Sequence, residues 1–126
     1  MVSRQRPDVV AIVEDDAGVR DALQGLLDSH GFKTRCFASA EAYLGASASP
    51  PACLILDLRL PGMSGLELLR KLQAAGSVPP TIVLSGEINR DSKARARLLR
   101  AGARAVLDKP FDPDQLVQLI AGTLGK

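Results

Sequence analysis

The segment at residues 53–65, CLILDLRLPGMSG, constrains the fold more than any other in the chain. It begins with Cys53, Leu54, Ile55 and Leu56, an apolar run that does not alternate and is too short for a helix. A strand buried on both faces of a parallel sheet reads this way, whereas a half-exposed strand alternates. Asp57 closes the run, and Pro61, Gly62 and Gly65 punctuate a turn. Ser64 with Glu67 forms a capping box that opens a helix carrying Leu66, Leu68, Leu69 and Leu72. The order strand, acid, loop, helix matters because open α/β sheets collect ligands outside the carboxyl ends of their strands. Asp57 therefore stands where chemistry is usually found.

The same grammar repeats along the chain. Residues 9–13, VVAIV, form a second unbroken apolar run, and it ends in Glu14, Asp15 and Asp16. Val19, Ala22, Leu23, Leu26 and Leu27 then fall on one helical stripe that Gly31 stops near His30. Residues 32–37 (FKTRCF) suit an edge strand with Lys33 and Arg35 toward solvent, and residues 39–48 a short alanine-rich helix ended by Pro50 and Pro51. After the central strand and its helix, residues 81–84 (TIVL) make a fourth strand ending in Ser85 and Gly86. A helix over residues 89–101 follows, with Gly102 as its cap, then a fifth strand over 105–107 ending at Asp108, Lys109 and Pro110. Asp112 as N-cap, Pro113 at the first position and Gln115 at the third open the last helix. Five strands alternating with five helices predict right-handed crossovers and a parallel sheet covered on both faces.

With 126 residues, no internal repeat and no linker, the chain is expected to be one domain over 1–126. No apolar run approaches the ~20 residues that cross a bilayer, and the run after the amino terminus stops at Glu14, so a cytoplasmic location without membrane contact is expected. Cys36 and Cys53 lack metal or redox spacing and read as reduced core thiols. Net charge is only +2, but it is unevenly spread: residues 1–57 hold 8 acids and 5 bases, and residues 58–126 hold 6 acids and 11 bases.

In a parallel sheet all strand carboxyl ends share one edge, so Glu14, Asp15, Asp57, Ser85 and Lys109 should converge. Like charges about 4 Å apart repel by ~4 kcal/mol per pair at an effective dielectric near 20. A cation must sit among such carboxylates. Lys109 supplies one charge, and an all-oxygen set with open positions suits Mg²⁺ for the rest. A carboxylate beside Mg²⁺, a lysine and a hydroxyl is suited to accept a phosphoryl group, because that transfer is mostly positioning and charge neutralisation.

The set Glu14-Asp15, Asp57 within LDLRLPGMSGLELL, Ser85-Gly86 and Lys109-Pro110-Phe111 resembles the receiver domain of bacterial two-component response regulators, on the FixJ-like branch. The resemblance runs over essentially all of residues 9–124. It implies a flavodoxin-like (βα)5 doubly wound parallel sheet with strand order 2-1-3-4-5. It also implies a phosphoacceptor switch rather than an enzyme, with Asp57 taking phosphate from a sensor histidine kinase. By that likeness Asp15, Asp57 and the backbone carbonyl of Arg59 hold Mg²⁺, and Glu14 reaches it through water. Lys109 pairs with the phosphoryl oxygens, Ser85 turns its hydroxyl to them, and the Lys109–Pro110 bond is cis. The fourth helix, fifth strand and fifth helix would form the output surface and a possible homodimer contact, with no direct nucleic-acid binding. Val106 stands where the family often has an aromatic that reports the phosphorylated state. Arg59 and Glu87 are expected to pair across the mouth of the site and hinder water.

Blander roles compete elsewhere. Asp16 reads as a solvated third acid, and His30 as a solvated or dipole-complementing helix end. Arg90, Lys93, Arg97, Arg100 and Arg104 form a cationic stripe on the fourth helix, with Arg95 off it. The stripe is a solvated face, a docking surface for an acidic partner, or a weaker one for nucleic acid, against which the scarcity of aromatic residues argues. Two rival functions stay open: a receiver-like module that binds without phosphate, and an Mg²⁺-dependent aspartyl-phosphate hydrolase. The hydrolase needs an acid two residues after the nucleophile, where this chain has Arg59.

Overall fold

The computed structural model describes residues 9–46, 49–86 and 92–125. Among these the elements alternate in the expected way. They are β1 (Val9–Val13), α1 (Ala17–Ser29), β2 (Lys33–Phe37), α2 (Ala40–Gly45), β3 (Cys53–Asp57), α3 (Gly65–Ala74), β4 (Thr81–Ser85), α4 (Ser92–Arg100), β5 (Ala103–Asp108) and α5 (Pro113–Thr123). The strands form one parallel sheet in the order β2-β1-β3-β4-β5. Every residue of β3 and β4 is buried, as unbroken apolar runs require in the middle of a covered sheet.

Alternate strand residues feed two cores. Ala11, Val13, Leu54, Leu56 and Val83 point to one face, where Leu68, Leu69 and Leu72 of α3 and Leu98 of α4 cover them. Val10, Ile12, Ile55, Ile82 and Leu84 point to the other, under Leu23 and Leu27 of α1 and Leu116 and Ile120 of α5. Both faces are therefore dry, and the side chains that close the strands have only the sheet edge to occupy.

Local chemistry sets the element ends. Asp16 is the N-cap of α1, its Oδ1 accepting the Val19 N–H at 3.1 Å, so this acid does more than meet solvent. Ser64 and Glu67 make the expected capping box on α3. Asp112 caps α5 through the Asp114 N–H. Several boundaries differ from expectation: α2 ends at Gly45 and not at residue 48, and β2 starts one residue later than expected. The fifth strand begins at Ala103, earlier than residue 105, because the pairing jumps from Thr81↔Ala103 to Ile82↔Ala105 and leaves Arg104 as an extra, bulged residue. Arg104 is accordingly in β5 and not on the fourth helix, which ends at Arg100. Of the cationic stripe, Lys93, Arg97 and Arg100 are exposed on α4, and Arg90 lies outside the described residues.

Candidate functional site

Register brings the strand ends together. Val13 pairs with Leu56, Asp57 with Leu84, and Ser85 with Asp108, so the residues after β1 and β5 flank those that end β3 and β4. The Lys109 N–H donates to Ser85 O at 2.7 Å, and the Glu14 N–H to Phe37 O at 3.0 Å, which extends the ladder into the site itself. The Lys109–Pro110 bond is cis.

Three carboxylates meet at this edge. Glu14, Asp15 and Asp57 each offer an oxygen, and these oxygens all lie within 4.8 Å of one another. Glu14 and Asp57 are buried and Asp15 is exposed, so the cluster is closed beneath and open to solvent on one side. Asp57 Oδ1 accepts the Arg59 N–H at 3.3 Å and the Lys109 Nζ at 3.4 Å. Lys109 Nζ also stands 3.7 Å from Glu14 Oε1. Ser85 is buried at the end of the neighbouring strand. The five residues expected at one edge are thus at one edge.

Glu14 exposes what the site lacks. Its Oε2 accepts the Asp16 N–H at 3.2 Å, but its Oε1 is buried without a hydrogen-bond partner. Burial is the main reason its carboxyl is pushed up from the ordinary value; the Asp16 N–H opposes that shift, and the Asp57 charge adds to it. One ammonium at 3.4 to 3.7 Å does not neutralise three carboxylates. A buried oxygen with no hydrogen bond and only a 3.7 Å ion pair to Lys109, oxygen-only donors and an open side fit a hard divalent ion that keeps some of its water, which is the description of Mg²⁺.

Residues 10–121 match the family model of the response regulator receiver domain. The chain belongs to that family. FixJ, a transcriptional regulatory protein of Bradyrhizobium diazoefficiens, is 34% identical over 116 residues, which cover 91% of this chain and 56% of FixJ. The response regulator protein TodT of Pseudomonas putida is 38% identical over 120 residues, covering 94% of this chain and 52% of TodT. The crystal structure of FixJ-N superposes with a TM-score of 0.81 at 34% identity, covering 95% of this chain and 94% of that one. The receiver domain spans about half the length of these two curated relatives.

Sequence reasoning passed over two residues that shape this receiver domain's site. Arg20 of α1 donates from NH1 to Glu14 O at 2.8 Å and so holds the loop that carries the acids; a single arginine on a helical face gives no such signal. Arg95, set apart from the cationic stripe, donates to Val106 O at 3.1 Å and pairs with Asp108 at 3.3 Å, tying α4 to the strand that leads into Lys109. Its departure from the stripe was the available clue. Glu87, the expected partner of the Arg59 side chain, lies outside the described residues. His30 sits at the end of α1 with Nδ1 3.0 Å from Leu26 O, remote from the acids in role. Cys53 is buried and Cys36 only partly so; both are free. No helix among the described residues is long and apolar enough to cross a membrane.

Proposed function

We propose that this receiver domain is a phosphoacceptor switch in which Asp57 takes a phosphoryl group from a sensor histidine kinase in the cytoplasm. The observation that carries the reading is the Lys109 ammonium held between Asp57 and Glu14, at 3.4 and 3.7 Å, beside an uncompensated carboxylate cluster. An oxygen of Asp57 attacks the phosphorus of phosphohistidine. The P–N bond breaks with its electron pair going to the ring nitrogen, the imidazole leaves neutral because its other nitrogen already carries a proton, and the Asp57 carboxylate becomes an acyl phosphate.

Asp15, Asp57 and the Arg59 carbonyl would hold Mg²⁺ in this reading, and Glu14 would reach it through water. When bound, the ion supplies positive charge to the phosphoryl oxygens. Lys109 supplies the other positive charge, its ammonium already 3.4 Å from Asp57 Oδ1. The Ser85 hydroxyl is the donor that meets the phosphoryl group once it is attached. Because Val106 has no ring to turn, the change passes to α4, β5 and α5 through the backbone around Ser85 and Lys109. That face is the proposed output surface and homodimer contact, and nucleic acid is not its target. Two free cysteines suit a reducing compartment.

Incubation with acetyl phosphate and Mg²⁺, followed by intact-mass measurement, tests the reading. A labile adduct of about 80 Da is expected in the unaltered chain and not in Asp57→Asn. An adduct that persists in Asp57→Asn, or none in either protein, refutes it.

A further inference from the structure

Glu41 lies outside the carboxylate cluster, in the first turn of α2 behind its N-cap Ser39. Its side chain nevertheless reaches the loop between β3 and α3. Glu41 Oε2 accepts the Met63 N–H at 2.9 Å, a bond that spans 22 residues of sequence. The same carboxylate rests on Gly62, where an added Cβ would come within 2.7 Å of Oε2. Gly62 has φ +76°, a conformation that costs glycine little and that turns the following N–H toward α2. The Met63 bond is also the first reason that the exposed Glu41 carboxyl is held below its ordinary value.

The loop so held follows Asp57, the last residue of β3. At its near end the Arg59 N–H rests on Asp57 Oδ1 at 3.3 Å, and at its far end the Ser64 N–H rests on Glu67 Oε1 at 2.9 Å. Those two bonds lie within the loop and its own flanking elements. Two backbone bonds also fix the loop's ends, Leu58 N–H to Leu84 O of β4 and Gly65 N–H to Leu58 O, both at 3.0 Å. Glu41 adds an attachment from α2 at Met63, between those ends.

We infer that Glu41 is a positioning residue, fixing the β3–α3 loop in the form that presents the Arg59 carbonyl and the Asp57 carboxylate to the cation. This rests on the function proposed above. A loop that samples other forms weakens apparent cation affinity in proportion to the time it spends in them, without any ligand being removed. Groups that orient metal ligands from outside typically change affinity by tenfold or more.

The test uses the unaltered chain, Glu41→Ala and Glu41→Gln, with two readouts. Calorimetric titration with Mg²⁺ is expected to show about tenfold weaker binding in Glu41→Ala. Glu41→Gln, which keeps an acceptor oxygen, should stay near the unaltered value. Amide exchange in metal-free protein should show faster exchange at Met63 and also at Arg59, whose own hydrogen bond is untouched by the substitution. Equal Mg²⁺ affinity in Glu41→Ala overturns the inference. So does an equal loss in Glu41→Gln, which would assign the effect to charge. If the unaltered chain fails to bind Mg²⁺, the proposed function falls, and the Arg59 exchange rate still decides whether Glu41 holds the loop.

Discussion

Cys53 opens β3 with no exposed surface, and burial pushes its thiol from an ordinary 9.0 up to about 12. Below pH 9 the thiol is protonated in both native and unfolded chains, so its full contribution to stability is present. Above that value the unfolded chain releases the proton and the native one does not. Stability is therefore lost as pH rises from 9.0 toward about 12, by at most about 1.4 kcal/mol per pH unit. Urea denaturation between about pH 8 and pH 10.5 should show a steeper decline in the unaltered chain than in Cys53→Val. Equal slopes would mean that the native thiol titrates as an exposed one. At this scale the acids, Ser85 and Lys109 were legible in the sequence because each ends an apolar run. Arg20 and Glu41 were not: Arg20 reaches back six residues to a carbonyl and Glu41 forward 22 to an N–H, and a side chain that bonds backbone leaves no pattern in the sequence.

Helix and strand set the requirement at glycine more than glycine does itself. Gly65 reads as a turn residue in the sequence, yet it is the first residue of α3 and lies against β3: an added Cβ would stand 2.7 Å from Asp57 O and 3.0 Å from Leu58 Cα. Backbone atoms cannot rotate away, so Gly65→Ala must lift the helix from the strand that carries Asp57. A loss of about 1 to 3 kcal/mol is expected. Gly25, exposed within α1 with nothing within 4 Å of an added Cβ, should respond in the opposite direction. There Gly25→Ala is expected to gain about 0.5 to 1 kcal/mol from helix propensity. Chemical denaturation of both variants checks the pair, and a shared sign would break the argument. The same contrast explains which elements were legible. β1, β3 and β4 announce themselves as buried apolar runs, whereas β5 was read short because a bulge at Arg104 interrupts its pattern. Gly102 marked the end of α4 to within one residue, but the arginine spacing continues in phase across it and drew Arg104 of β5 into the helical stripe.

Across the whole molecule, the sheet order gathers groups that the unfolded chain keeps apart: Glu14 and Asp15 after β1, Asp57 at the end of β3, and Lys109 after β5. The fold class was legible for this reason, since alternating elements with acids at strand ends admit few arrangements. That Lys109 leaves negative charge over was legible too; which oxygen is left without a hydrogen bond was not, because that depends on the burial of Glu14 Oε1 and on its distance from Lys109. A cation that binds only this assembled edge stabilises the native state by mass action, by about 2.7 kcal/mol at a hundredfold excess over its dissociation constant. For a domain of this size that is a rise in Tm of about 10 °C. Thermal denaturation in EDTA and in saturating Mg²⁺ should show the rise in the unaltered chain and lose most of it in Asp57→Asn. Glu14→Gln separates the two contributions, because it removes a buried carboxylate that has too little compensation when metal is absent. The metal-free form of that variant should melt higher than the unaltered metal-free chain, and its gain from Mg²⁺ should be smaller. If Glu14→Gln instead lowers the metal-free Tm, Lys109 alone suffices to balance the acids, and the electrostatic case for the ion is lost.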